Sequence, residues 1–102
     1  MKPSIGRIVH YRLSERDIRL VEERRERRVG AWNYLKVGQV LPMMIVVVHG
    51  DHPNAAVNGQ VFLDGDDTYF VMSCLVGEVP GTYAWPVLPP TQPIVVAYGD
   101  RN

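Results

Sequence analysis

The chain has 102 residues, of which 46% are apolar and 22% charged, the make-up of one soluble globular domain with a single modest core. Formal net charge is zero and there is one cysteine, Cys74, which excludes an internal disulfide framework and fits a reducing compartment. The charge is nevertheless divided, with ten basic and five acidic residues up to Lys36 and one basic against six acidic beyond it, about +5 and −5. Such a division can bind an anion through the first half. It can also neutralise itself within the fold or between subunits, which is the expected outcome. The start Met1-Lys2-Pro3-Ser4 lacks the apolar core of a secretory signal. The longest apolar run, residues 40–48, is interrupted by Pro42 and too short to span a bilayer as a helix. A soluble, intracellular protein that does not enter a membrane is expected.

In chain order, Ile5-Gly6-Arg7-Ile8-Val9-His10-Tyr11 reads as a first strand entered at Gly6. The period then changes. Ser14 is a good N-cap, Asp17 stands where a capping box reaches back, and Leu13 with Ile18 forms a hydrophobic staple. A helix over about residues 14–29 is predicted, stopped by Gly30. Glu15 and Asp17 early and Arg24, Arg25, Arg27 and Arg28 late suit its dipole. The pairs Glu15–Arg19 and Glu23–Arg27 add about 0.2–0.5 kcal/mol each. Only Ile18, Leu20, Val21 and Val29 are apolar, so the helix is expected to be weakly anchored to its own domain.

Residues 31–37 place Trp32 and Tyr34 on one face if extended. Residues 41–48 form a nearly continuous apolar run, read as a strand covered on both faces by the helix or by another subunit. Pro42 belongs near its start or at an edge. After the loop His49-Gly50-Asp51-His52-Pro53-Asn54 comes the organising stretch, residues 57–85. Two β-rich runs flank Asp64-Gly65-Asp66-Asp67, a hairpin turn, with Asn58-Gly59 readable as a turn or bulge. In the second run either Phe70 and Met72 or Tyr69 and Val71 face the core. A third extended piece, Thr82-Tyr83-Ala84-Trp85, is bracketed by prolines. Residues 87–102 form a Pro-rich C-terminal arm: a stiff spacer and then a short strand, Ile94-Val95-Val96-Ala97-Tyr98. That strand reaches a neighbouring subunit or returns to its own sheet; both readings stay open.

Four blocks, Gly6-Arg7-Ile8-Val9-His10-Tyr11, Gly38-Gln39-Val40-Leu41-Pro42-Met43, Val57-Asn58-Gly59-Gln60-Val61-Phe62-Leu63-Asp64-Gly65 and Pro80-Gly81-Thr82-Tyr83-Ala84-Trp85-Pro86, together resemble a family of small phage and prophage proteins. The family typically has an aromatic residue, often Trp, where this chain has Tyr83. The resemblance covers about residues 2–86 and stops before the arm. It implies a viral accessory protein, acting in the host cytoplasm, with a small SH3-like antiparallel barrel as domain 1–86 and a helical insertion after the first strand. It brings no catalytic residues.

The residues themselves give no catalytic constellation, so no enzyme and no cofactor is expected. His49 and His52 lack a second pair at ligand spacing, so no metal site is predicted. Cys74 in a strand reads as a buried small hydrophobe. The carboxylates Asp64, Asp66 and Asp67 fit turn chemistry better than a cation site. Binding is better supported: Arg7, Tyr11, Arg12, Trp32, Tyr34, Tyr83 and Trp85 are the candidate ligand-binding residues, with His10 and Tyr69 as further rings near strand ends. Flat rings stack on bases and Arg grips phosphate in a fork. The expected function is therefore a homo-oligomeric phage counter-defence protein that sequesters a nucleotide-derived immune signal, of the cyclic oligonucleotide or cyclic ADP-ribose type. A direct inhibitor of a host defence protein and a minor virion or assembly component are the alternatives. A nucleic-acid polymer is not the expected partner, because the Arg24–Arg28 run is short and interrupted by Glu26.

Overall fold

A computed structural model describes residues 1–87. The predicted spacer beyond Val87 and the strand at 94–98 lie outside the described residues. The elements are β1 (Ile8–Arg12), α1 (Glu15–Arg25), β2 (Val40–Val48), β3 (Val57–Phe62), β4 (Thr68–Cys74) and β5 (Tyr83–Ala84). The mainly β class with one helix holds. All ladders are antiparallel, in one sheet ordered β4-β3-β2-β1-β5. The sheet is not closed. Among the described residues, its two outer strands approach through an isolated parallel bridge, Val76 to Tyr83, with Tyr83 N–H bonded to Leu75 C=O at 3.0 Å.

Alternation along each strand sorts the side chains. Val9 and Tyr11, Leu41, Met43 and Ile45, Val57 and Val61, Val71 and Tyr83 point inward and join Leu13, Val21, Leu35 and Leu63 in the core. A fully buried aliphatic side chain of this kind contributes about 1.5–3 kcal/mol. In β4 it is Val71, with half-buried Tyr69, that faces inward, while Phe70 and Met72 are exposed.

Of the two expected covers for the second face of β2, the helix does not supply one. The strand's burial alternates, and Val40, Pro42, Met44 and Val47 face outward, uncovered by any described residue. The registers Ile8–Met44, Met44–Gln60 and Gln60–Phe70 align a largely apolar row across four strands on that outer face. Pro42 is tolerated inside the sheet because the β2–β3 ladder begins one residue later, at Met43–Val61.

The hairpin turn forms as predicted. Gly65, at φ 146°, has Ala31 O 2.6 Å from where a Cβ would sit. Asn58 lies at a bulge in β3, where the register shifts between Val57 and Gly59.

The helix is capped as predicted: Ser14 Oγ accepts from Asp17 N–H and the Asp17 carboxylate accepts from Ser14 N–H. It ends at Arg25, however, four residues short of the predicted limit. Arg27 and Arg28 close tighter i→i−3 turns on Arg24 and Arg25, and Gly30 does not adopt the left-handed conformation of a stop. Glycine is required there for another reason, since a Cβ would lie 2.8 Å from both the Asp66 carboxylate and the Trp32 ring. The first strand also starts later than predicted, at Ile8, with Gly6 in the preceding turn.

A candidate ligand-binding cleft and its surroundings

β1 turns His10 and Arg12 outward beside Ala84 of β5 and Val40 of β2. With Trp85 and the loop residues Glu78 and Thr82 they bound a cleft of about 390 Å³, inside the range of small-molecule sites. The wall is fixed by main-chain bonds. Gly81 N–H donates to Arg12 C=O at 2.7 Å, and Arg12 N–H donates to Thr82 C=O at 3.1 Å. Thr82 Oγ1 donates to Val79 C=O at 2.6 Å, and Gly81 supplies the turn with φ 89°.

Arg12 lines this cleft, and Arg7 stacks on its Trp85 wall. Arg12 makes one long contact, Nη1 to Gly38 C=O at 3.5 Å. Arg7 lies over the Trp85 ring, 5.1 Å from its centroid, with Nη2 at 3.3 Å from Met1 Sδ. Among the described residues neither guanidinium has a carboxylate within ion-pair distance. The arrangement offers a guanidinium fork for phosphate, an indole plane for a flat ring, and the Glu78 carboxylate as an acceptor for amino or hydroxyl groups.

A second group of arginines is used differently. Arg24 Nη2 meets Asp67 Oδ2 at 2.5 Å and Thr68 C=O at 3.0 Å. Arg28 Nη2 lies 3.4 Å from Asp66 Oδ1, and its Nη1 lies 3.1 Å from Asp67 Oδ2, within ion-pair reach but without hydrogen-bond alignment. Arg25 and Arg28 stand over the Trp32 ring at 4.9 and 5.5 Å. Arg25 is buried, donates to Asn33 C=O at 3.2 Å, and leaves Nε and Nη2 without partners. Burial, then repulsion from Arg24 and Arg28, pulls its pKa down. The turn completes the cluster: Ala31 N–H donates to Asp66 Oδ2 at 3.0 Å, and this bond is the main reason Asp66 sits below the usual carboxylate range. Helix end, Trp32 and turn are thus one structural joint. The thin apolar stripe expected of α1 is what the structure shows, with Val21 buried and Ile18 partly buried against the core, and polar contacts at both ends add to that weak anchoring.

The other end of α1 is held by Asp17. Its buried carboxylate accepts from Tyr11 OH at 2.5 Å, Tyr69 OH at 2.8 Å and Ser14 N–H at 2.8 Å. Burial, and then the bond to Asp17, pushes the Tyr69 phenol up to about 12 and raises Tyr11 further. Burial likewise pushes the neighbouring Cys74 thiol up to about 12, which leaves it un-ionised and inert at neutral pH.

Of the seven predicted binding residues, the structure brings Arg12 and Trp85 together in the cleft, with Arg7 against the Trp85 ring but outside the lining. Tyr11 and Tyr83 are corrected to core positions, 2% and 0% exposed. Tyr11 is spent on Asp17, and Tyr83 OH on Ala55 C=O at 2.8 Å. Trp32 belongs to the helix joint. Tyr34 is 91% exposed and turned away from it, so the two rings do not share a face. Glu78 and Thr82 of the cleft were not predicted. Their only signal is the turn sequence Pro80-Gly81, which places a loop against β1 without saying which strand edge it covers.

Comparison with family models, with curated protein sequences and with solved structures finds no match for this chain. Among the described residues, no helix is long and apolar enough to cross a membrane.

Proposed function

We propose that the protein is a phage-encoded counter-defence protein that sequesters a small nucleotide-derived signal in the cleft at His10, Arg12 and Trp85, and that it works as a homo-oligomer. The observation that carries this reading is the cleft itself, where Arg12 and the Trp85 indole stand together with Arg7 stacked on that ring, and where among the described residues neither guanidinium is in an ion pair. A phosphate would satisfy the Arg12 fork and a base would take the Trp85 plane, the two contacts that a cyclic oligonucleotide or cyclic ADP-ribose-type molecule offers. The strand order and the excursion between β1 and β2 support reading the domain as an SH3-like barrel with a helical insertion, its cleft at the open seam.

Calorimetry against a panel of cyclic di- and trinucleotides and cyclic ADP-ribose isomers tests this. One member is expected to bind, with Arg12→Ala and Trp85→Ala each weakening it about 10- to 100-fold, the worth of a charge-assisted bond or a stacked base. A panel without a binder, or binding indifferent to both changes, removes the reading. The exposed apolar row at Ile8, Met44 and Phe70 favours a second reading, a direct inhibitor of a host defence protein. A stoichiometric complex with one purified defence protein, lost on Met44→Lys, would support it.

A further inference from the structure

Outside α1 and its cap, every carboxylate among the described residues but one has a partner. Asp51 meets Lys2, Asp64 accepts from Asn33, and Asp66 and Asp67 are held by the helix joint. Glu78 is the exception. It stands at the wall of the cleft with Arg12 and Trp85 and enters no ion pair there. The loop that carries it is tied down on both sides. Gly77 N–H donates to Tyr83 C=O at 2.9 Å, and Val79 C=O accepts from Thr82 N–H at 3.2 Å and from Thr82 Oγ1 at 2.6 Å. A Cβ on Gly77 would lie 3.0 Å from Thr82 Oγ1, so glycine lets the loop close on Thr82. Both chain neighbours of Glu78 are thus fixed, and its carboxylate is rooted in main chain that has little freedom left to lose on binding.

We infer that Glu78 makes the cleft selective for guanine, an inference that rests on the nucleotide reading above and narrows it. An ionised carboxylate only accepts hydrogen bonds, through two adjacent oxygens. Guanine alone among the common bases presents two donors side by side on one edge, its ring N1–H and its exocyclic amino group. Adenine and cytosine set an amino group beside a ring nitrogen that accepts, and uracil sets its N–H between two carbonyls. Each of these meets a carboxylate with one bond and one repulsion. The rest of the cleft agrees. Arg7 covers the Trp85 ring from outside the lining, which leaves the side towards the cleft for a base, and an indole matches a bicyclic purine in area. The Arg12 fork takes a phosphate, or else the O6 and N7 pair of guanine, where adenine turns an amino group towards it. Both charges of the lining therefore find complementary groups on a guanine nucleotide. Of the two ligand types proposed above, this selects guanine-bearing cyclic oligonucleotides over cyclic ADP-ribose, whose base is adenine.

Calorimetry on the full chain with cyclic di-GMP, cyclic di-IMP, cyclic di-AMP and cyclic ADP-ribose tests this. Cyclic di-IMP lacks only the exocyclic amino groups of cyclic di-GMP. The wild-type chain is expected to bind cyclic di-GMP about 10-fold more tightly than cyclic di-IMP, and about 10- to 100-fold more tightly than either adenine ligand, the worth of one two-point contact. Glu78→Gln, at an exposed loop position, is expected to weaken cyclic di-GMP by that larger factor and to leave cyclic di-AMP within twofold. Cyclic di-AMP or cyclic ADP-ribose bound as tightly as cyclic di-GMP overturns the inference and leaves the nucleotide reading standing. A Glu78→Gln loss that is equal for guanine and adenine ligands also overturns it, because the carboxylate then holds the sugar rather than the base. A protein that binds no cyclic nucleotide at all removes the reading beneath the inference, and both fall together.

Discussion

The two sides of β1 use one residue type to opposite ends. Towards α1, charge meets countercharge: Arg24 and Arg28 lie on Asp66 and Asp67 of the hairpin turn, and Asp17 gathers two phenols and a main-chain N–H. Towards the cleft, Arg7 and Arg12 stand beside Trp85, and among the described residues neither is in an ion pair, although Glu78 lines the same cleft. Where guanidinium groups are paired they position a helix with little apolar surface of its own. Where they are unpaired, a ring stack and one long contact to Gly38 C=O are what hold them, and the charge remains available to a ligand.

The largest effect should fall on Asp17. Asp17→Ala strands the buried Tyr11 hydroxyl and the half-buried Tyr69 hydroxyl and removes half of the capping box, an expected loss of about 3 kcal/mol. For a domain of this size that lowers the melting temperature by roughly 15 °C. The same node makes stability pH-dependent. The Tyr69 phenol ionises near 12 in the folded protein against about 10 in an unfolded chain. Its contribution is therefore complete below pH ~10 and is lost as pH rises from there towards 12. Urea melts at pH 8, 10 and 11.5 should show that fall, and a shallower one in Asp17→Ala. A pH-independent stability up to 11.5 would mean that α1 is not held this way.

Trp32→Ala comes next, at about 2 kcal/mol, because it removes the half-buried plane that Arg25 and Arg28 cover. Asp67→Ala should cost about 1 kcal/mol, and the difference from wild type should shrink in high salt, since its partner Arg24 is partly exposed. Both changes should leave cleft binding within twofold. If Trp32→Ala abolishes binding while the melting temperature is held, the helix joint is part of the site and the contrast collapses.

Local signals were legible from the sequence and long-range ones were not. The capping box at Ser14 and Asp17, the Asp64–Asp67 turn and the Asn58-Gly59 bulge all follow from residues within a few positions of one another. The helix end is misplaced because Gly30 serves not as a left-handed stop but as room for Trp32 and for Asp66, the latter remote in sequence. Tyr11 and Tyr83 were read as ligand contacts because a tyrosine near a strand end looks alike whether its hydroxyl meets a ligand, Asp17 or Ala55 C=O. Only the burial of the opposite face tells them apart. Likewise the run 43–48 looked doubly buried because its outward residues Met44 and Val47 are as apolar as the inward ones. Composition cannot separate a face covered within the chain from one left for a partner.

The smallest expected effect is also the most discriminating. Arg12→Ala and Arg7→Ala remove charges that compensate nothing, so each should change stability by less than about 0.5 kcal/mol, against about 1 kcal/mol for Arg28→Ala, which leaves Asp66 and Asp67 short of a partner. Chemical melts of the three variants at one salt concentration make the comparison directly. Equal losses at Arg12 and Arg28 would mean that the cleft arginines serve the fold after all, through the Trp85 stack and Gly38 C=O. A stable Arg12→Ala protein that no longer binds its ligand would place the two functions of arginine on opposite sides of β1.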